Sequence, residues 1–297
     1  MAKFSRLTVL AFLTLGLSLS SCTKKDETAD LVMGFNPAES AEVVEANGKA
    51  LAALIREKTG LNLKTFVSTD IGGLVEAMRS GKVHLAFMPP FSFIQAERVA
   101  GAKVLLKAVR KGRAVNYSTI ITAKGHKSLQ DLKGKSMAWI DPASTTGHII
   151  PKNELMDMGI DPDTFFGKQV FAGGHDALVL SVVNKTVDAG ATLCNDPECK
   201  DGIWMQFLKD PEKLKEIKPL HISKPIPGDT LTTTEKFYNE KKDVVEKVVA
   251  LLQELHKTPE GKKMLMDLYH IDSMVPATRE EYEPLRSAAK RLNIGNN

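Results

Sequence analysis

Asp70-Ile71-Gly72-Gly73-Leu74-Val75-Glu76-Ala77-Met78-Arg79-Ser80-Gly81-Lys82-Val83-His84-Leu85-Ala86-Phe87 holds a complete structural unit. Asp70 is a helix cap, and Leu74, Val75, Ala77 and Met78 supply an apolar helical face. Ser80-Gly81 stops the helix, and Lys82 to Phe87 reads as a strand. About a hundred residues later the unit returns: Asp176 opens a helix carrying Leu178, Leu180 and Val182, Asn184-Lys185 ends it, and Thr186-Val187-Asp188-Ala189-Gly190-Ala191 is the strand. One copy in each half predicts two similar α/β lobes with a ligand crevice between them. The competing reading is a chance recurrence within one α/β domain.

Outward from this unit the same rhythm continues. Leu31 to Phe35 is a first strand, Ala41 to Thr59 an amphipathic helix and Leu61 to Val67 a second strand, which argues for a mostly parallel sheet with helices on both faces. The chain is expected to cross between lobes near Ser118-Thr119-Ile120-Ile121-Thr122. It crosses again near Ser223-Lys224-Pro225-Ile226-Pro227-Gly228, where two prolines and a glycine exclude regular structure. Helices over 234–256, 259–269 and 279–292 then return to the first lobe. Lobe 1 is thus residues 31–118 plus 228–297, and lobe 2 is 119–227.

The N-terminus reads as a leader. Lys3 and Arg6 precede an apolar run, Leu7 to Leu19, too short to span a bilayer, and Leu19-Ser20-Ser21-Cys22 resembles a lipobox. The expectation is a lipoprotein signal peptide over 1–22, a diacylglycerol thioether on Cys22 and a polar tether over 23–30. The alternative is a plain secretory signal with an incidental cysteine. Cleavage removes two bases and no acid, so the formal charge falls from +4 to +2. That weak bias, spread along the chain, carries no nucleic-acid footprint. Cys194 and Cys199, four residues apart in an exported body, favour a small-loop disulfide over a metal site, for which only Asp196 and Glu198 stand nearby.

Three segments carry chemistry. In Asp141-Pro142-Ala143-Ser144-Thr145-Thr146-Gly147-His148, three hydroxyls lie between a strand (Ser136 to Ile140) and a helix (Ile149 to Met158). Hydroxyls, free amides and the helix dipole together make an anion site; the bland reading is a helix cap, which needs only one hydroxyl. In Gly173-Gly174-His175-Asp176, the glycines allow close backbone approach and His175 can donate to an oxyanion, or the segment is only a turn with a solvent-facing histidine. In Ile226-Pro227-Gly228-Asp229, the acid can accept a proton from a ligand or simply belong to a Pro-Gly-Asp turn. A hydrolase reading lacks a Gly-x-Ser-x-Gly elbow around Ser144, and there is no phosphate-loop lysine or dinucleotide glycine signature. An enzyme is not expected.

Taken in order, Asp131-Leu132-Lys133-Gly134-Lys135, Asp141 to Gly147, Gly174-His175-Asp176-Ala177, Val187-Asp188-Ala189-Gly190 and Pro225-Ile226-Pro227-Gly228-Asp229 resemble the phosphonate/phosphite-type (PhnD-like) periplasmic binding proteins over nearly the whole mature chain. The resemblance implies a type II periplasmic-binding fold and an ABC-importer receptor for a phosphorus oxyanion (phosphonate, phosphite or phosphate). Ser144, Thr145, Thr146 and His175 would hold the anion, with Asp229 at the hinge. Three positions depart from the family pattern. Ile71 follows Asp70 where a tyrosine often stands, Asn116 with Tyr117 beside it fills a second aromatic position, and Asn195 occupies the place of an amine-binding acid. These changes weaken an aminoalkylphosphonate reading and leave another oxyanion, such as sulfonate or arsenite, open. Phe91 and Phe93 either line the crevice or pack in the core. The implied partners are the oxyanion, an ABC permease and the membrane reached through Cys22. A monomer without cofactor is expected, its body in the periplasm or outside the cell. The reading from another class is a surface lipoprotein acting as an adhesin or sensor partner.

Overall fold

The computed structural model describes residues 31–291; the leader, Cys22 and the tether lie outside the described residues. The strands are β1 Leu31–Phe35, β2 Leu63–Val67, β3 Leu85–Met88, β4 Ala102–Val109, β5 Val115–Thr122, β6 Ser136–Trp139, β7 Lys168–Phe171, β8 Ala189–Cys194, β9 Lys218–Ile222, β10 Ile226–Pro227, β11 Thr230–Thr234 and β12 Ser273–Pro276. They form two sheets, ordered β12-β4-β11-β3-β1-β2 and β10-β5-β8-β6-β7, with β9 also on β5. This is a two-lobed α/β architecture.

The repeated unit sets the plan of both sheets. In the first, β1 lies parallel to β2 and β3; in the second, β6 lies parallel to β7 and β8. The sheets are therefore mixed, not mostly parallel as expected: from β3 the order runs on antiparallel through β11, β4 and β12, and from β8 through β5, which pairs antiparallel with β9 and β10. Parallel neighbours need helical crossovers. These are α1 Ala41–Thr59 and α2 Ile71–Arg79 in lobe 1, and α4 Ile150–Asp157 and the His175–Val183 helix in lobe 2, while α3 Pro90–Ala100 follows β3. Each sheet is packed on both faces. Leu51, Ile55, Leu231 and Leu252 bury one face of lobe 1, and Leu74, Met78, Phe91 and Phe93 the other. Phe91 and Phe93 are therefore core residues, fully buried.

Several expectations change in detail: Ile226–Pro227, in the segment expected to exclude regular structure, is the short strand β10, paired antiparallel with Asn116 and Val115 of β5. The first crossing comes earlier than residue 118, in the turn after β4. Arg110 and Arg113 exchange backbone hydrogen bonds of 2.9 Å around Lys111 and Gly112, both at positive φ. Ser118 to Thr122 is instead the C-terminal part of β5, where Thr119 and Thr122 stay buried by donating to the His221 and Asp188 carbonyls. The helix expected over 234–256 breaks at Lys241 into Glu235–Glu240 and Lys242–Glu254, with the Thr234 side chain capping the first.

Cys194 and Cys199 are joined in a disulfide. The Asp196 carboxylate inside that loop accepts from the amides of Glu198, Lys200 and Asp201, so it is spent on the turn. Among the described residues no group of three or more histidine, cysteine or acidic side chains is placed to hold a metal ion, and no helix is long and apolar enough to cross a membrane.

The two crossings run side by side. The Gly228 amide donates to the Ala114 carbonyl at 3.0 Å, the Ala108 amide to the Asp229 carbonyl at 2.8 Å, and the Tyr282 hydroxyl to the Gly228 carbonyl at 3.1 Å. A Cβ on Gly228 would stand 2.3 Å from the Ala108 carbonyl oxygen, which is backbone and cannot step aside. Gly228→Ala is therefore expected to cost about 2 kcal/mol in denaturant unfolding. Unchanged stability would mean that the crossings are not tightly apposed.

Candidate functional site

Parallel strands send every following helix off the same end of the sheet, and the two lobes present those ends to each other. The starts of α1, α2 and α3 in lobe 1 face the starts of α4 and the His175–Val183 helix in lobe 2. A helix start has amides without intrahelical partners and a partial positive charge. Several of these amides are satisfied across the cleft: Ile71 donates to Asp141 Oδ2 at 3.3 Å, Phe91 to Thr145 Oγ1 at 2.8 Å and His175 to the Ala38 carbonyl at 3.1 Å. The lobes are in contact through their helix starts.

The hydroxyl run adopts a wide turn that its sequence does not announce. Thr145–Ile149 is one π-helical turn, with the Ile149 amide donating to the Ser144 carbonyl at 2.9 Å. Pro151 has no N–H to give to Gly147, so the Gly147 carbonyl accepts from the Ile140 amide instead. The wide turn also frees the Thr146 carbonyl, which Ser118 Oγ takes at 2.6 Å. A Cβ on Gly147 would lie 2.1 Å from Ile140 Cγ1, so glycine is required for the turn to close on β6. The three hydroxyls divide their work. Ser144 Oγ accepts from the Gly147 amide, as a cap does, Thr145 Oγ1 reaches lobe 1, and the Thr146 hydroxyl makes no hydrogen bond among the described residues. All three residues are buried.

Beside this contact lies a cavity of about 50 Å³ walled by both lobes, with Arg110, Asp229, Glu39 and His270 on one side and His175 and Leu193 on the other. At about one water per 10–15 Å³ on this measure, it has the scale of a tetrahedral oxyanion. His175 Nδ1 lies 2.7 Å from Thr192 Oγ1. With Thr192 donating, the ring proton sits on Nε2, the edge opposite lobe 2's own hydroxyl. Desolvation first, and the Arg110 charge second, push the His175 pKa down to about 4, so the ring is a neutral donor at pH 7.

Of the residues singled out in the sequence, only His175 and Asp229 line this cavity; Ser144, Thr145, Thr146, Ile71, Asn116, Tyr117 and Asn195 are not among its lining residues. Asp229 is held by Arg110, Nη2 to Oδ2 at 2.8 Å, so its charge is balanced. Ile71 starts α2 and is buried, its backbone rather than its side chain meeting lobe 2. Asn116 and Asn195 flank the cross-strand pair Tyr117–Cys194, at the cleft end of the second sheet. Both are buried, and Asn116 Nδ2 and Asn195 Oδ1 have no hydrogen-bond partner among the described residues. Tyr117 packs instead into the apolar cluster of Cys194, Val179 and Trp204. Sequence reasoning missed Arg110, Glu39 and His270; His270 Nε2 and Glu39 Oε1 lie 2.9 Å apart. Nothing in the local sequence marks them, because they meet only through the fold.

The profile of the family described as ABC transporter, phosphonate, periplasmic substrate-binding protein matches residues 33–282. The chain belongs to that family, which is one of binding proteins rather than enzymes. It is 32% identical over 196 residues to the phosphate-import protein PhnD of Mycolicibacterium smegmatis, a match spanning 59% of this chain and 61% of that one. It is 26% identical over 259 residues to the phosphonates-binding periplasmic protein of Escherichia coli, covering 85% of this chain and 74% of the relative. A Prochlorococcus marinus binding protein, determined in complex with methylphosphonate, superposes with a TM-score of 0.75 at 19% identity, over 89% of this chain and 98% of that one. At that identity the superposition speaks for the fold.

A half-buried histidine held neutral has a consequence for stability. Its folded pKa lies below the unfolded value, so the unfolded chain takes up the proton first, and stability present above pH 6.5 is lost as the pH falls toward 4. The loss is at most about 3 kcal/mol, because part of the ring borders the cavity. Without added anion, the wild type should lose more thermal stability between pH 7 and pH 4.5 than His175→Gln does. Equal losses would show that His175 is not held neutral.

Proposed function

We propose that this chain is the substrate-binding lipoprotein of an ABC importer and captures a small phosphorus oxyanion between its lobes. The observation that carries the reading is the meeting of helix starts from both sheets beside a cavity of about 50 Å³ with a neutral histidine donor. Family membership supplies the transport role, and the relatives' phosphate and phosphonate ligands suggest the ligand class.

In this account the free anion meets the lobe 2 donors first. Thr146 offers its hydroxyl, the Ser144–Gly147 turn the amides of Thr145 and Thr146, and His175 its Nε2–H. Lobe rotation about the paired crossings then brings in the lobe 1 helix starts and the Asp229 side. Closure around the wrong ligand would strand buried donors without acceptors, so shape and protonation state set selectivity. Glu39 and Asp229 on the cavity wall favour a ligand that still bears a proton, because a carboxylate facing a fully ionised oxyanion is unfavourable. The small cavity and the polar pair Asn116 and Asn195 argue against a long organic tail. The closed form delivers the ligand to the permease, and the anchor at Cys22 keeps the monomeric receptor at the membrane.

The test is a thermal-shift and calorimetric panel of phosphate, phosphite, methylphosphonate, a sulfonate and arsenite. At a hundred times its dissociation constant a true ligand stabilises by about 2.7 kcal/mol. Ser144→Ala combined with Thr146→Ala should remove most of that shift while leaving the ligand-free melting temperature within a few degrees. Normal binding by the double variant would refute the site, and silence across the panel would favour the adhesin or sensor reading. Cys22→Ser should release the protein from the membrane fraction; retention there would refute the anchor.

A further inference from the structure

Arg110 is among the most enclosed charged side chains of the chain, 5% exposed, and it stands where the first crossing leaves β4. Two of its three nitrogens are committed. Nε donates to the Tyr269 carbonyl at 3.1 Å and Nη2 to Asp229 Oδ2 at 2.8 Å. Nη1 is buried and has no hydrogen-bond partner among the described residues. The residue lines the cavity opposite His175. Buried guanidinium nitrogens are rarely left unpaired, because an unmatched donor on a charged group costs more than one on a neutral group.

We propose that Arg110 is the cationic contact of the bound oxyanion, donating from Nη1, and that Asp229 serves chiefly to hold the guanidinium in that pose. This rests on the oxyanion-receptor reading above and deepens it by naming the one full positive charge at the ligand. The fixing of the other two nitrogens supports it: a fork anchored on Tyr269 and Asp229 has one free nitrogen, and its direction is preset before any ligand arrives. The proximity of the Arg110 charge is also felt at His175, across the cavity. The turn that carries Arg110 also reaches lobe 2, Lys111 Nζ standing 3.7 Å from Asp201, two residues past the disulfide loop. Arg110 is therefore placed by the crossing itself, and closure of the lobes brings His175 to the same anion from the other side.

The arrangement divides the recognition by type. Lobe 2 supplies neutral donors, which read shape, and lobe 1 supplies a charged donor beside a carboxylate, which reads ligand charge and the presence of a proton. Arginine is needed for this because a lysine ammonium cannot bond Tyr269, Asp229 and a ligand with a fixed planar fork.

Isothermal titration calorimetry with phosphate, phosphite and methylphosphonate tests this on the full folded chain at pH 7. For whichever of these probes the wild type binds, Arg110→Gln should weaken affinity by about ten- to a hundredfold, the usual range for a lost charge-assisted hydrogen bond. Arg110→Lys should recover only part of it. Because removing one partner of an ion pair can loosen the fold, Arg110→Gln combined with Asp229→Asn removes both charges. It should keep a cooperative melting transition and bind as weakly as Arg110→Gln alone. Asp229→Asn by itself should cost less than Arg110→Gln. If both arginine variants bind within threefold of wild type while the Ser144→Ala, Thr146→Ala variant fails, Arg110 is structural and this proposal falls while the receptor reading stands. If that hydroxyl variant binds normally and Arg110→Gln does not, the hydroxyl site falls and the arginine contact stands. If the wild type binds none of the three probes, both fall.

Discussion

The structure turns on the amides that a helix cannot bond for itself at its first turn. Two sheets with parallel cores send their helices off facing edges, so lobe contact sets helix starts against helix starts. Those groups must be satisfied, and across this cleft Asp141, Thr145 and the Ala38 carbonyl provide acceptors for Ile71, Phe91 and His175. Each is an oxygen, two are side-chain oxygens, and one is a carboxylate. An oxyanion offers the same chemistry from several directions at once, which is why a crevice of this construction suits such a ligand without a dense cluster of cations.

No excess of positive charge stands in the cleft. Arg110 answers Asp229, Glu39 stands against His270, and His175 is kept neutral by burial. A strongly positive pocket would grip any anion, whereas one without that excess depends on how donors and acceptors match the guest. The small cavity sharpens this, since little solvent is present to absorb a mismatch. Selectivity then follows from buried groups that are costly to leave unpaired, Asn116 and Asn195 among them, rather than from net attraction.

Much of the plan was legible in the residues. The helix-and-strand unit that begins at Asp70 and its counterpart at Asp176 foretold two sheets of one design, and periodicity placed α1 over the span that it occupies. The hydroxyl run was marked by composition, but its wide turn was not, because that shape depends on Pro151 withholding an amide four residues after Gly147. The first crossing was misplaced because Ser118 to Thr122 looks like a polar joint, whereas its hydroxyls are absorbed by the carbonyls of Thr146, His221 and Asp188. Arg110 was invisible for a different reason. In Arg110-Lys111-Gly112-Arg113 it is one base among three in a surface-like turn, and only the meeting of β4, Asp229 and Tyr269 buries it. Pairing between distant segments carries no local signal, and this site is made of such pairings.

A titration followed by backbone amide NMR, with methylphosphonate or phosphate added to uniformly labelled protein, examines the central claim most directly. The account predicts that the largest changes fall at the amides of Ser144 to Gly147 and Gly174 to Asp176, with weaker ones at Ile71 and Phe91 across the cleft. The opposite result is a response centred on the groove of about 460 Å³ bordered by Glu154, His221, Lys224 and Leu285, with the helix starts unmoved. That outcome would place ligand recognition elsewhere on the molecule and contradict the account.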